Sequence, residues 1–129
     1  MPFDAIITGA ILVVLIILLG VILLRRRRLS AGARKRYQVL WNALEAREDP
    51  VRRLVEADAL LSRALRESGY AGSLADQLKS IQGRIPNKES VWKAHKLRNR
   101  LVHEPGTAVD DRGVSCAVAS FKKALESLY

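Results

Sequence analysis

The sequence predicts an all-α protein: a single transmembrane helix at the N-terminus followed by a small antiparallel bundle of four to five helices. Three observations carry this. Residues 5–24 form a run of twenty uncharged residues in which Thr8 is the one polar side chain. Beyond residue 33, apolar residues recur at helical spacing, and no alternating strand pattern occurs. The connections between these periodic segments are short, as between antiparallel neighbours. A chain of 129 residues has room for one domain and a short extra segment. The part after the apolar run is near the lower size for an independent core, so dimerisation would help it.

As a helix, the apolar run would be about 30 Å long, enough to cross the hydrocarbon layer. A cleaved signal peptide needs a basic start, a shorter apolar run and a small-residue cleavage site. This chain starts MPFD and its run ends in Arg25, Arg26, Arg27 and Arg28. Residues 1–28 therefore read as a membrane anchor with a basic stop-transfer end, and residues 29–36 as a basic juxtamembrane linker. Residues 25–36 carry seven basic residues and no acid, against one aspartate before the span. That asymmetry predicts a cell inner-membrane protein with its N-terminus outside and its C-terminal domain cytoplasmic. The net charge of +9 divides as −1 before residue 25, +7 over 25–36 and +3 over 37–129. Most of the basicity is thus a headgroup anchor whose partner is membrane lipid, with nucleic-acid binding by this segment as a second use. A lone Cys116 allows no internal disulfide, which suits a reducing compartment.

Residues 37–129 read as the bundle. Tyr37, Leu40, Trp41 and Leu44 give a first helix over about 33–48. Asp49 and Pro50, as N-cap and first helical residue, open a second over about 50–68 that Gly69 stops. Its inward stripe is Val51, Leu54, Asp58, Leu61 and Leu65. Ser73 caps a shorter segment with Leu74, Leu78 and Ile81, and residues 83–87 are loop. The next helix contains residues 90–103 and ends because Pro105 drives Glu104 out of helical geometry. A last helix starts near Asp110 or Asp111 and turns Val114, Val118, Phe121, Leu125 and Leu128 inward.

The helix before Pro105 carries the chemistry. Val91, Ala94, Leu97, Leu101 and Val102 gather on its core side, and Lys93, Lys96 and Arg100 fall opposite. Arg98 projects within the apolar arc, and Trp92, His95, Asn99 and His103 line a flank beside it. Asp58 breaks the second helix's stripe as Arg98 breaks this one, and a buried carboxylate needs a partner. The two are expected to meet through charge-assisted hydrogen bonds. Their pairing has two uses: a buried ion pair that fixes register, or a carboxylate that holds Arg98 towards a cleft. His103, in the last turn with Asn99 one turn before it, is open to two roles as well, a helix-end histidine or a proton-transfer group. His95 and Trp92 suit a boundary pair. Lys93, Lys96 and Arg100 suit a solvated face or phosphate contacts. Cys116 reads as an inert surface thiol. His95, His103 and Cys116 lack the spacing of a zinc site, and the sequence has no phosphate-binding glycine loop or nucleophile-elbow serine. No metal and no cofactor are expected.

Residues 98–103, RNRLVH, resemble the signature of the HEPN superfamily: an arginine, a following polar residue such as asparagine, and a histidine a few positions on. The words EADALLSRAL and AHKLRNRLVHE are also similar to those of small bacterial HEPN-like proteins. The resemblance covers the bundle and leaves out the apolar helix. It implies a small helical bundle, working as a homodimer, that binds RNA and cleaves it without a metal by attack of a ribose 2′-hydroxyl on the adjacent phosphate. On that reading His103 is the general acid or base, Arg98 stabilises charge on the phosphoryl oxygens, and Asn99 orients the histidine or the phosphate. The competing expectation is a non-enzymatic, membrane-tethered helical module whose motif helix forms a dimer or partner surface.

Overall fold

The computed structural model describes residues 2–26, 28–81 and 83–129, except for the side chains of residues 24–26. Among the described residues it is all-helical, with one long apolar N-terminal helix followed by a small helical bundle. The elements are α1 (Pro2–Arg26), α2 (Ala31–Glu45), α3 (Pro50–Glu67), α4 (Leu74–Ser80), α5 (Lys88–His103) and α6 (Asp111–Glu126).

Helix α1 is long and apolar enough to cross a membrane, with a mean hydropathy of 3.3 over its most apolar window and none of that window buried. It packs against no other described helix. Arg27 and the side chains of Arg25 and Arg26 lie outside the described residues, and Arg28 is exposed.

The bundle is built around α3, which touches α2, α4, α5 and α6; α5 also packs along α6 and against α4. The expected helix ends are present. Asp49 accepts hydrogen bonds from the backbone N–H groups of Val51 and Arg52, with Pro50 at the first helical position. At the other end of α3, Gly69 adopts φ +97°, which an L side chain resists. The Tyr70 and Gly69 N–H groups then bond back to Leu65 and Arg66, closing the two carbonyls a left-handed cap can reach. Ser73 and Asp76 form a reciprocal capping box on α4.

The core joins Tyr37, Trp41 and Leu44 of α2 with Leu54, Leu61 and Leu65 of α3, Leu78, Val91, Ala94 and, from α6, Val114, Phe121 and Leu125. Val118 is half-buried, and small residues, Ala117 and Ala124, fill the inner face of α6 beside the larger ones.

Two readings of the sequence are corrected. The segment 29–36, read from its charge as a linker, is part of the bundle. Leu29 is buried, its N–H donates to the Leu128 carbonyl at 2.9 Å, and α2 starts at Ala31 with Ser30 as its N-cap. The cations that suggested a linker lie on the outer face of α2, while Ala33 continues the buried stripe of Tyr37 and Trp41. Val102, placed on the core side of α5, is exposed, because α5 leaves its neighbours in its last turn. Leu97 and Leu101 are half-buried there.

Candidate functional site

The α3–α5 contact holds a chain of four polar side chains. Asp58, 5% exposed, sits at the middle of α3 among Leu54, Ala57 and Leu61. Its Oδ2 lies 2.6 Å from Nδ1 of His95, whose side chain is 14% exposed. A carboxylate can only accept, so Nδ1 carries the hydrogen of this bond. Nε2 of the same ring is 3.3 Å from Nδ2 of Asn99, and Asn99 Oδ1 accepts from Arg98 Nη1 at 2.9 Å. The directions agree end to end. Arg98 donates to the Asn99 oxygen, the Asn99 amide faces His95 Nε2, and His95 Nδ1 donates to Asp58. Each donor polarises the next acceptor in surroundings of lowered dielectric. Trp92 packs edge-on to His95, with ring centroids 6.2 Å apart.

Asp58 and Arg98 come together, though not in the expected manner. Arg98 Nε is 4.0 Å from Asp58 Oδ1, an ion pair without a hydrogen bond, and this Nε is buried with no acceptor among the described residues. The short bond goes to His95. The reason is local geometry: His95 and Arg98 are three residues apart on α5, so both face α3, and the flat imidazole slips closer than the branched guanidinium. Asp58 therefore has two partners, one by hydrogen bond and one by charge. The Arg98 side chain is 26% exposed.

The remaining motif residues lie outside this chain. His103 is exposed in the last turn of α5, and among the described residues it has no hydrogen bond or ion pair. Asn99 is bonded to Arg98 and His95, and not to His103. Glu104 follows with extended backbone (φ −105°, ψ 106°), the state imposed on a residue before proline. Lys93, Lys96 and Arg100 are exposed on the outer face of α5. With His103 they form a basic face that is free to meet an anion. No third His, Cys, Asp or Glu joins Asp58 and His95 as a metal-holding group among the described residues.

Two polar clusters elsewhere escaped the sequence reading. Gln77, fully buried, donates to the carbonyls of Ser62 and Tyr70 and accepts from the Ser62 hydroxyl, tying α4 to α3. Glu67 accepts two bonds from Arg36 and one from the hydroxyl of Tyr37, joining α2 to the end of α3. The Arg36 hydrogen bonds, then that of Tyr37, hold the Glu67 carboxyl below the usual carboxylate range. Burial, then the bond to Glu67, pushes the Tyr37 phenol up to about 12. Neither cluster has a helical-stripe signature, since Gln77 reaches Ser62 fifteen residues away and Glu67 reaches Arg36 and Tyr37 thirty-one and thirty away. No family model, curated protein or solved structure matches the chain.

Proposed function

We propose that the bundle is a HEPN-like RNA-binding domain that cleaves RNA without a metal, tethered to the inner membrane by α1 with the bundle in the cytoplasm. The observation that carries this reading is the hydrogen-bonded chain from Arg98 through Asn99 and His95 to Asp58. It fixes the arginine and asparagine of the RNRLVH motif on one flank of α5, one turn before an exposed His103. The excess of cations in residues 25–36 supports the orientation.

The chemistry follows from the groups. An imidazole takes the proton of the ribose 2′-hydroxyl as its oxygen attacks the adjacent phosphorus. The 5′-oxygen leaves and takes up a proton, and a 2′,3′-cyclic phosphate remains. Arg98, held by Asn99 and balanced by Asp58, carries its charge towards the phosphoryl oxygens where negative charge grows. Lys93, Lys96 and Arg100 supply phosphate contacts along the strand. Two copies of α5 facing each other would bring the imidazole of one to the guanidinium of the other, so the working unit is a homodimer.

The test uses the full chain in detergent micelles, end-labelled RNA and excess chelator. Cutting with cyclic-phosphate ends is expected, falling by about a hundredfold or more in His103→Ala, the usual weight of a general acid or base. Replacing the ribose at the cut position by deoxyribose must abolish it. Cutting that survives in His103→Ala, or no cutting at all, ends the reading. A second reading, a non-enzymatic module that docks another helix, is favoured by the exposed Val102 and Val109 on either side of His103. It predicts no cutting, and binding of a protein partner that Val102→Asp abolishes.

A further inference from the structure

A cleft of the bundle lies away from the Asp58 chain and shares no residue with it. It has a volume of about 470 Å³ and is lined by Glu45 of α2, Arg53 of α3, and Val114, Ser115, Val118, Ala119 and Lys122 of α6. That volume is within the range of small-molecule sites. Its lining is apolar at Val114, Val118 and Ala119 and charged at Glu45, Arg53 and Lys122.

Those charges do not balance. Lys122 Nζ is 3.3 Å from Glu45 Oε1, which also accepts from the indole N–H of Trp41 at 2.8 Å. The Trp41 bond, helped by Lys122, holds the Glu45 carboxyl below its usual range. Lysine and glutamate thus answer each other. Among the described residues Arg53 has no such answer. The neighbouring acid, Glu56, is engaged by Arg47 and Arg52. Arg53 is half-buried against the cleft, and its Nε is shielded from solvent with no acceptor. A guanidinium is held there, beside an apolar lining, with one unit of charge left unmatched.

We propose that this cleft binds a small organic monocarboxylate, its two oxygens on the fork of Arg53 and its apolar body on Val114, Val118 and Ala119. The planar fork of arginine matches the spacing of carboxylate oxygens. A single negative charge completes the balance, whereas a dianionic phosphate would set a second charge beside Glu45. Ser115, at the rim, offers a hydroxyl to a polar substituent of the body. The proposal is independent of any activity of α5.

The experiment titrates the full chain in detergent micelles with benzoate, phenyl phosphate and the neutral benzyl alcohol, following the Arg53 Nε–Hε NMR signal and calorimetric heat. Benzoate is expected to saturate one site and shift that signal, and benzyl alcohol to do neither. Arg53→Gln should weaken benzoate by about tenfold or more, the loss of a charge-assisted hydrogen bond, while Arg52→Gln leaves it unchanged. Ala119→Leu, which narrows the cleft without touching the arginine, should weaken it too, so the test stands even if Arg53→Gln fails to fold. Absence of saturable benzoate binding, or equal binding by Arg53→Gln, overturns the site. Tighter binding of phenyl phosphate overturns the carboxylate assignment.

Discussion

Replacing Asp58 by asparagine tests the polar chain at its buried end. The amide keeps the shape and an oxygen that can accept from His95 Nδ1, so the change removes charge and little volume. At 2.6 Å the bond to a carboxylate is charge-assisted and contributes about 1.5–3 kcal/mol, against about 1 kcal/mol for a neutral acceptor. Roughly 1 kcal/mol is therefore lost there. The Arg98 charge at 4.0 Å interacts by about 4 kcal/mol at an effective dielectric of 20. Partial exposure of Arg98 and relief of the carboxylate's desolvation leave about 1 kcal/mol of that. Asp58→Asn should thus cost about 2 kcal/mol and lower the melting midpoint by roughly 10 °C for a bundle of this size. Asp58→Ala, which strands the His95 N–H and opens a void, should cost about 4 kcal/mol. The assay is urea unfolding of residues 28–129 followed by circular dichroism. This fragment omits Met1, α1 and the residue after it, and α1 packs on no other described helix. In an Arg98→Met background the penalty of Asp58→Asn should shrink by about 1 kcal/mol, because the charge it answered is gone. A cost below about 0.5 kcal/mol for Asp58→Asn, or no coupling to Arg98, would refute the assignment of Asp58 as the anchor of the chain.

Two further outcomes follow from the same coordinates. A fragment starting at residue 33 loses the buried Leu29, the Ser30 cap and the Leu29–Leu128 bond, and should unfold about 3 kcal/mol more easily than one starting at residue 28 in the same urea titration. The raised phenol of Tyr37 makes stability pH-dependent on the alkaline side: the neutral phenol is favoured in the folded state, so its contribution is whole below about pH 10 and is lost as pH rises towards 12. That loss should show as a late phenolate absorbance step and should be absent in Tyr37→Phe, which itself costs about 1 kcal/mol at neutral pH.

Helix positions were legible because their signals are local. Asp49 with Pro50, Ser73, Gly69 and Asp110 each mark an end within a few residues, and the stripes between them name the buried faces. The relative rotation of α3 and α5 is not local. A carboxylate in the stripe of α3 announced that it needed a partner, and α5 offered two candidates three residues apart, Arg98 and His95. Periodicity put Arg98 deeper in the arc, and the packing preferred the flatter ring. The charge of residues 25–36 hid the bundle's start in a different way. Leu29, Ala33, Tyr37 and Trp41 recur at four-residue spacing, a signal of burial that the intervening cations masked. The unmatched Arg53 left no trace in the sequence at all, because its isolation depends on which arginines reach Glu56.

The division of α5 bears on how the motif could work. His95, Arg98 and Asn99 are turned to α3 and bonded among themselves, whereas His103 stands free after the last contact. On a regular helix Arg98 and His103 point about 140° apart, so one copy of α5 does not present both to a single phosphate. The hydrogen bonds of Arg98 and Asn99 argue against the arginine swinging round, since its Nη1 and the Asn99 amide would both lose partners. The helix ends at His103, and Glu104 has extended backbone. What one bundle supplies is a braced guanidinium on one side and an unbraced imidazole on the other. On the proposed RNA-cleaving reading, a site that uses both would need the imidazole of a second copy, so that reading carries dimerisation with it.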